Sequence, residues 1–184
     1  MTEEISDLEI ELYKSSVRSE EYPDTLHQKH LFEQYKICIE MADRISQRRS
    51  IANTLLLTLN TGVLGALAAF FGKTDLSIGG VVVSLIALVG LIISCQAWRI
   101  LLRSYRQLNA AKFKVIGALE RKLPASPYYS AEWTALGQGK DKNLYTPLSA
   151  IEIKLPVILS AAYLLIIVFI VIDQKRILMG VFSS

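Results

Sequence analysis

The chain has 184 residues, a formal net charge of +3 and a 52% share of hydrophobic residues. Its length suits one domain, but the apolar residues are concentrated in three blocks and lack the spread of soluble amphipathic helices. This distribution excludes an ordinary soluble domain and argues against a soluble enzyme.

Residues 1–50 form an acidic segment, with eleven Asp or Glu against seven Lys or Arg. It contains no apolar run typical of a signal peptide, so we expect it to stay in the cytoplasm. Ile5, Leu8 and Leu12 share one helical face and predict a short acidic helix docked on the rest of the chain. A second helix is expected from residue 26, after Pro23 and a capping pattern that begins at Thr25. Its apolar stripe consists of Leu31, Tyr35, Cys38, Ala42 and Ile45.

The three apolar blocks predict transmembrane helices at residues 51–72, 78–98 and 155–172. About 20 uncharged residues at 1.5 Å each cross a hydrocarbon core of about 30 Å. Arginines before the first span and after the second predict a cytoplasmic N-terminus, because positive flanks stay inside. Residues 73–77 are then an external hairpin, residues 99–154 a basic cytoplasmic domain and residues 173–184 an external tail, although Lys175 and Arg176 oppose this last assignment.

Neither Gly nor Pro interrupts residues 26–50 ahead of the first span, so one continuous helix is predicted over residues 26–72. The helix of the second span is likewise expected to continue to about residue 122, ahead of Pro124 and Pro127. The two helices then extend from the membrane as a cytoplasmic stalk. Residues 123–150 have no clear period and predict an ordered loop or short helices.

The first span carries polar residues that are costly against lipid. Thr54, Thr58 and Thr61 fall on one side with Gly65, flanked by Asn53 and Asn60. Two interpretations remain open. These groups line a central pore in an oligomer, or they hydrogen-bond between packed helices.

The second span carries a stripe of small residues, which allows helix backbones to approach closely. We expect this stripe to pack on the first span or on a neighbouring subunit. The third span has only Ser160 and Tyr163 as polar residues, which makes it the helix most exposed to lipid. The stripe consists of Gly80, Ser84, Ala87, Gly90, Ser94 and Ala97.

The segment from residue 99 to 154 holds ten Lys or Arg against four acidic residues. These cations suit lipid phosphates or the acidic N-terminal segment. They also suit an anionic ligand such as a nucleotide or single-stranded nucleic acid, with nearby aromatic rings for stacking. The candidate anion-binding residues are Arg99, Arg103, Arg106, Lys112 and Lys114.

Sequence motifs for catalysis are lacking. The sequence has no glycine-rich phosphate loop and no His or Cys cluster with metal spacing. We therefore predict no catalytic residue, no metal and no cofactor, and expect Cys38 and Cys95 to be reduced packing residues. No partner is evident for the acidic residues of the basic segment, which are Glu120, Glu132, Asp141 and Glu152.

Several stretches carry a family resemblance: residues 98–113, Leu123-Pro124, Glu132-Trp133, residues 145–152, Gln34-Tyr35-Lys36 and residues 53–60. In order and spacing the chain resembles the RipA-like family of small octameric bacterial inner-membrane proteins. The resemblance implies a homo-oligomer in a bacterial cytoplasmic membrane and implies no reaction. In architecture alone the chain is also similar to antiphage effectors that permeabilise the membrane in response to a nucleotide signal.

The sequence therefore predicts an all-α integral membrane protein with three transmembrane helices, the first two extended into a helical stalk. We expect a homo-oligomeric channel or membrane-perturbing effector, with the bilayer and an anionic ligand as partners. The alternative is a non-conducting oligomeric scaffold that organises lipid or partner proteins.

Overall fold

The computed structural model describes residues 2–13, 24–71, 78–140, 144–146 and 148–182. In these ranges the chain is helical apart from short connections, and no strand occurs. The α-helices are α1 (Thr2–Leu12), α2 (Asp24–Phe71), α3 (Ile78–Glu120), α4 (Trp133–Ala135), α5 (Leu148–Glu152) and α6 (Lys154–Phe182). A π-helical turn covers Pro127–Glu132 and a 3-10 turn covers Gly137–Gly139.

The long helices follow the absence of breakers in the sequence. α2 is one helix of 48 residues that begins at Asp24, two residues before the expected start. α3 has 43 residues and ends at Glu120, before Pro124. Pro127 starts the π-helical turn, where its missing N–H costs no hydrogen bond. Over residues 123–150, where an ordered loop or short helices were expected, the described residues include short helical elements. Hairpin residues 73–77 lie outside the described part of the chain.

α2, α3 and α6 are long and apolar enough to cross a membrane. Their most apolar windows have mean hydropathies of 1.5, 2.7 and 2.9. The chain is an all-α integral membrane protein, and α2 and α3 are each far longer than the roughly 20 residues that a span requires. The prediction of three spans with two helical extensions is confirmed.

The chain divides into two compact units, an extension unit (residues 1–48 and 105–147) and a membrane unit (residues 49–104 and 148–184). In the extension unit, the buried side chains of α2 pack against those of α3. The predicted stripe on α2 is the buried face, with Leu31, Tyr35, Ala42 and Ile45 each less than one-tenth exposed. The opposing buried side chains of α3 are Ile116 and Leu119.

The predicted N-terminal helix docks within the extension unit. Leu12 and Tyr13 pack against the core of this unit. The Tyr13 hydroxyl donates a 2.9 Å hydrogen bond to the carbonyl of Ala118, and Arg121 Nε donates to Glu9 Oε1 at 2.9 Å. Among the described residues, apolar contact, the Tyr13 hydrogen bond and the Glu9–Arg121 ion pair therefore hold the end of the acidic helix in place.

In the membrane unit, α3 and α6 share a buried core of Leu88, Leu91, Cys95 and Tyr163. Tyr163 and Ser160 are the polar residues of the third span, and both are buried. On its other side α6 exposes large apolar residues such as Leu165 and Phe169, each 71% exposed. One face of α6 therefore packs within the unit, and the other is suited to lipid.

Candidate functional site

Asn60 is the centre of a polar cluster inside the membrane unit. Its side chain is fully buried. The amide nitrogen donates to the carbonyl of Leu56 at 2.8 Å and to Ser94 Oγ at 3.3 Å. The amide oxygen accepts from Cys95 Sγ at 3.3 Å and from the Tyr163 hydroxyl at 3.5 Å. Asn60 thus links α2, α3 and α6 by hydrogen bonds, which hold helices together where no water competes.

Asn53 makes a second link of the same kind. Its Oδ1 accepts a 3.0 Å hydrogen bond from the indole nitrogen of Trp98, whose side chain is fully buried. Asn53 and Asn60 are seven residues apart on α2 and so lie on the same helical face. Both asparagines have hydrogen-bond partners within their own subunit.

The threonines of the first span lie on a different face. Adjacent residues on a helix point about 100° apart around its axis. Thr54 therefore points away from Asn53, and Thr61 points away from Asn60. Thr54, Thr58 and Thr61 are exposed on the subunit. Thr61 Oγ1 bonds to backbone carbonyls of its own helix, at 2.9 Å from Leu57 and 3.2 Å from Thr58. The polar residues that the sequence groups together therefore divide into an inward Asn face and an outward Thr face.

Two glycines extend the Thr face. A Cβ atom placed on Gly62 or Gly65 would have no neighbour within 4 Å in the described residues. This surface (Thr54, Thr58, Thr61, Gly62 and Gly65) is therefore smooth, weakly polar and uncovered by the described part of its own chain.

The small residues of the second span also divide. Ser84 is buried and its hydroxyl donates to the carbonyl of Gly80 at 2.8 Å. Gly80, Ala87 and Ser94 are half-buried, whereas Gly90 and Ala97 are exposed. Gly90 has open space where its Cβ would be. Part of the stripe thus packs within the subunit, and Gly90 lies on a surface available to another molecule.

The candidate anion-binding residues all lie on α3 but are divided between the two units. Arg99 and Arg103 are in the membrane unit, and Arg106, Lys112 and Lys114 are in the extension unit. Arg103 and Arg106 are exposed, whereas Arg99 and Lys112 are half-buried. The Nε of Arg99 is buried without a hydrogen-bond partner in the described residues.

An ion pair in the membrane unit corrects one expectation. Arg49 Nε lies 3.5 Å from Glu152 Oε2, with side chains only 19% and 10% exposed. These atoms meet as charges without the geometry of a hydrogen bond. Glu152 was expected to have no partner. In the structure it connects α5 to α2, because folding brings together residues about 100 positions apart.

Glu120 is a second correction, because four donors surround its buried carboxylate. Oε1 accepts from the Tyr35 hydroxyl at 2.9 Å and from the Tyr128 N–H at 3.1 Å. Oε2 accepts from Ser126 Oγ at 2.7 Å and from the Tyr129 N–H at 2.9 Å. The carboxylate therefore fixes the π-helical turn against the end of α3.

The electrostatics of Glu120 follow from these contacts. Burial alone would raise the pKa of its carboxyl, but the hydrogen bonds from Ser126, Tyr129, Tyr128 and Tyr35 lower the pKa below its ordinary value. Burial raises the pKa of Tyr35, and the hydrogen bond to Glu120 and the charge of Glu120 raise it further. Glu120 is thus held as an anion and Tyr35 as a neutral donor.

Of the other acidic residues in the basic segment, Asp141 lies outside the described residues.

The described residues contain no group of three or more His, Cys, Asp or Glu side chains that could hold a metal ion. Glu120 therefore has hydrogen-bond donors around it and no second carboxylate in a metal-binding cluster. Its four bonds are a structural arrangement that stabilises a turn.

A comparison with protein families gives a match to this chain. The family model described as the octameric membrane protein family (8xMP) matches residues 32–172. No curated protein and no solved structure matches the chain. The matched range includes all three candidate spans, the Asn and Thr faces of α2 and the Glu120 cluster.

Proposed function

The chain belongs to the octameric membrane protein family, and from this we propose that it is a homo-oligomeric channel or membrane-perturbing effector of a bacterial inner membrane. The observation that carries the proposal is the outward Thr face of α2. Threonine is less suited to acyl chains than an aliphatic side chain is, which favours contact of this face with protein or water. Eight copies arranged around an axis would place hydroxyl rings along a central path.

The proposed conduction is weakly selective by charge. Thr54, Thr58 and Thr61 offer neutral oxygen atoms, which replace part of the hydration shell of an ion without favouring one sign strongly. Gly62 and Gly65 add no side-chain bulk to the same surface. Such a path suits ion leakage and depolarisation more than selective transport.

Control from the cytoplasmic side is the second part of the proposal. Arg99 and Arg103 lie one turn apart on α3 in the membrane unit, and guanidinium groups match phosphate geometry. An anionic ligand at these residues would change the charge in the middle of α3, just beyond the predicted second span. A nucleotide or short nucleic acid that signals infection is the ligand that fits a role in antiphage defence.

Orientation is tested by cysteine labelling in intact spheroplasts. Single cysteines at Asp75 and Ser184 are expected to react from outside, and one at Gln138 is not. Labelling at Gln138 would reverse the proposed topology. Lys175 and Arg176 make Ser184 the most demanding of the three positions.

Conduction is tested by ion flux through liposomes that contain the purified oligomer. Thr58→Cys is expected to make the flux sensitive to a charged, water-soluble thiosulfonate, because a pore-facing thiol is reached by water. Val63→Cys is the matched control, since Val63 is also exposed on α2 but lies off the Thr face. Equal block at both positions, or at neither, would contradict a Thr-lined path.

A non-conducting scaffold is the alternative, and one observation favours it. The Thr61 hydroxyl already bonds to two carbonyls of its own helix. A hydroxyl whose hydrogen bonds are already made within its own helix can pack against a neighbouring helix without a polar partner there. An intact oligomer without flux at any membrane potential or ligand concentration would support the scaffold.

A further inference from the structure

The extension unit exposes a cluster of large apolar side chains outside the predicted spans. Ile37 is 56% exposed, Met41 44% and Leu108 47%. Ile37 and Met41 are one turn apart on α2 and therefore adjacent on its surface. Single exposed apolar residues are ordinary, but a cluster typically marks an interaction surface. These three residues are called the apolar patch below.

Leu108 lies on the same side of the helix pair as Met41. On α2, Met41 and Asp43 flank the buried Ala42 on opposite sides. On α3, Leu108 and Phe113 lie on opposite sides of the buried Ile116 by helical register. Asp43 and Phe113 both line one groove. Met41 and Leu108 are therefore on the other side of the pair.

The groove on the opposite side has a volume of about 550 Å³. α2 contributes residues between Lys36 and Ser46, α3 contributes Phe113 and Ile116, and the π-helical turn contributes Tyr128 and Glu132. Its lining combines apolar side chains with four charged ones, Lys36, Glu40, Asp43 and Glu132. The extension unit thus has an apolar patch on one side and a partly apolar groove on the other.

We propose that the apolar patch of one protomer docks into the groove of the next copy of this chain. A closed ring of more than two subunits uses two different surfaces on each subunit, and the patch and the groove are two such surfaces. The family supplies the reason for a ring, since it is described as octameric. The occupant of the groove is thus a second copy of the chain.

Position along α2 supports this pairing. A rotation about an axis parallel to α2 keeps every residue at its own level along that axis. Ile37 and Met41 lie within the stretch from Lys36 to Ser46 that lines the groove. In a ring whose axis is parallel to α2, Ile37 and Met41 of one copy would lie at the level of the groove of the next.

Charge supports the pairing as well. Arg48 is seven residues beyond Met41 on the same face of α2, and it is exposed without an ion-pair partner in the described residues. The groove side presents Asp43 and Glu132, which also lack an ion-pair partner there, whereas the groove residues Lys36 and Glu40 are paired with Glu33 and Arg44. A basic patch side and an acidic groove side attract each other and disfavour patch-to-patch contacts.

The experiment is crosslinking of the full-length oligomer in mild detergent with a short bis-maleimide. The background carries Cys38→Ser and Cys95→Ala, and it is used once native mass measurement shows the wild-type oligomer. Met41→Cys and Phe113→Cys are combined in one chain. We expect a ladder of crosslinked species up to the full oligomer, because each copy joins the next.

Each single variant is expected to give monomer after crosslinking. The matched control combines Met41→Cys with Gln107→Cys, which is exposed on α3 but lies outside the groove. This control is expected to give no ladder. A ladder with Met41/Gln107, or a dimer with Met41→Cys alone, would place another surface against the patch and overturn the proposal.

A second measurement keeps the test independent of cysteine chemistry. Met41→Glu places a charge in the patch, and we expect loss of the full oligomer at neutral pH. Gln107→Glu, with a similar change in charge, should leave it intact. An unchanged Met41→Glu oligomer would also overturn the proposal. The inference rests on the homo-oligomer and not on conduction, so a failed flux assay leaves this test unaffected.

Discussion

The hydroxyl of Tyr35 on α2 donates a 2.9 Å hydrogen bond to Oε1 of Glu120, the last residue of α3. Both side chains are buried. This bond joins α2 to the end of α3 within the extension unit, and Glu120 also accepts hydrogen bonds from the turn that follows α3.

Tyr35→Phe is expected to destabilise the protein by about 1–3 kcal/mol, because a buried carboxylate loses one of its four donors. Thermal unfolding in detergent, followed by tryptophan fluorescence, measures the change. Tyr128→Phe is the matched control, since Tyr128 reaches Glu120 only through its backbone N–H. Equal losses in the two variants would show that the Tyr35 hydroxyl is not important to stability.

Acid should destabilise the extension unit through Glu120. The pKa of Glu120 is lowered on folding, so its contribution is complete above the ordinary carboxyl pKa and is lost as pH falls through the lowered value. The contribution of Tyr35 to stability changes at alkaline pH instead. Its pKa is raised, so its contribution is present below the ordinary tyrosine value and lost at still higher pH.

Glu120→Gln should flatten the acid-dependent part of this profile and lower stability at neutral pH. A carboxamide has only one accepting oxygen, so it leaves one of the two backbone N–H donors, from Tyr128 or Tyr129, facing an NH₂ group. Unfolding temperature measured from pH 3 to pH 8 tests this in both proteins. A variant profile as steep as that of wild type would assign the acid sensitivity to other groups.

The residues that periodicity reveals were predictable, and those that depend on turn geometry were not. The spacing of Leu31, Tyr35 and Ala42 follows the 3.6-residue period, so their burial could be read from the sequence. Glu120 could not be found in this way. Two of its donors are backbone N–H groups of a π-helical turn, and the direction of a backbone N–H group cannot be predicted from a side-chain pattern.

The polar residues of the first span show the same limit. Composition identifies Asn60 and Thr58 as unusual in a membrane, but it does not say which partner each one meets. In the structure, Asn60 is hydrogen-bonded to Ser94 and Cys95 of α3 and to Tyr163 of α6. Thr58 remains on the surface of the subunit, where only further copies, lipid or water are available to it.

Gly117→Ala should destabilise the extension unit, although alanine is the better helix former. A Cβ at residue 117 would lie 2.3 Å from Cδ2 of the Tyr129 ring. Overpacking costs about 1–3 kcal/mol, which exceeds the gain of about 1 kcal/mol in helix propensity. In a Tyr129→Ala background the same change should stabilise the protein. A loss of equal size in both backgrounds, measured by thermal unfolding, would exclude the Tyr129 contact as its cause.

Gly90→Leu should disrupt the oligomer while leaving the subunit folded. Gly90 is exposed on α3, and no atom of the described residues lies within 4 Å of its added Cβ, so this part of the subunit has room for the side chain. Native mass measurement reports the assembly, and circular dichroism reports the helices. Ser84→Leu is the contrasting variant, because Ser84 is buried and its replacement should unfold the subunit. A complete oligomer with Gly90→Leu would place this surface against lipid.

The final prediction concerns Arg103, which is exposed on α3 one turn from Arg99. If these arginines hold an anionic ligand, binding of a nucleotide or short single-stranded nucleic acid should weaken steeply as salt rises. Each phosphate neutralised on a single strand contributes a slope of about −0.7 in log affinity against log salt. Arg103→Gln should reduce this slope and leave the oligomer intact, because the side chain makes no hydrogen bond or ion pair within the described residues.

Titration at two salt concentrations, on wild type and on Arg103→Gln, gives the measurement. Gln107→Ala, on the same helix and also exposed, serves as the matched control and should bind as wild type does. Lipid headgroups are the competing source of phosphate, so the titration is repeated in nanodiscs with and without anionic lipid. Salt-sensitive binding of the nucleic acid that disappears with Arg103→Gln in neutral nanodiscs would support ligand control. Binding that is absent throughout, together with Arg103-dependent retention of anionic lipid, would identify these arginines as membrane anchors.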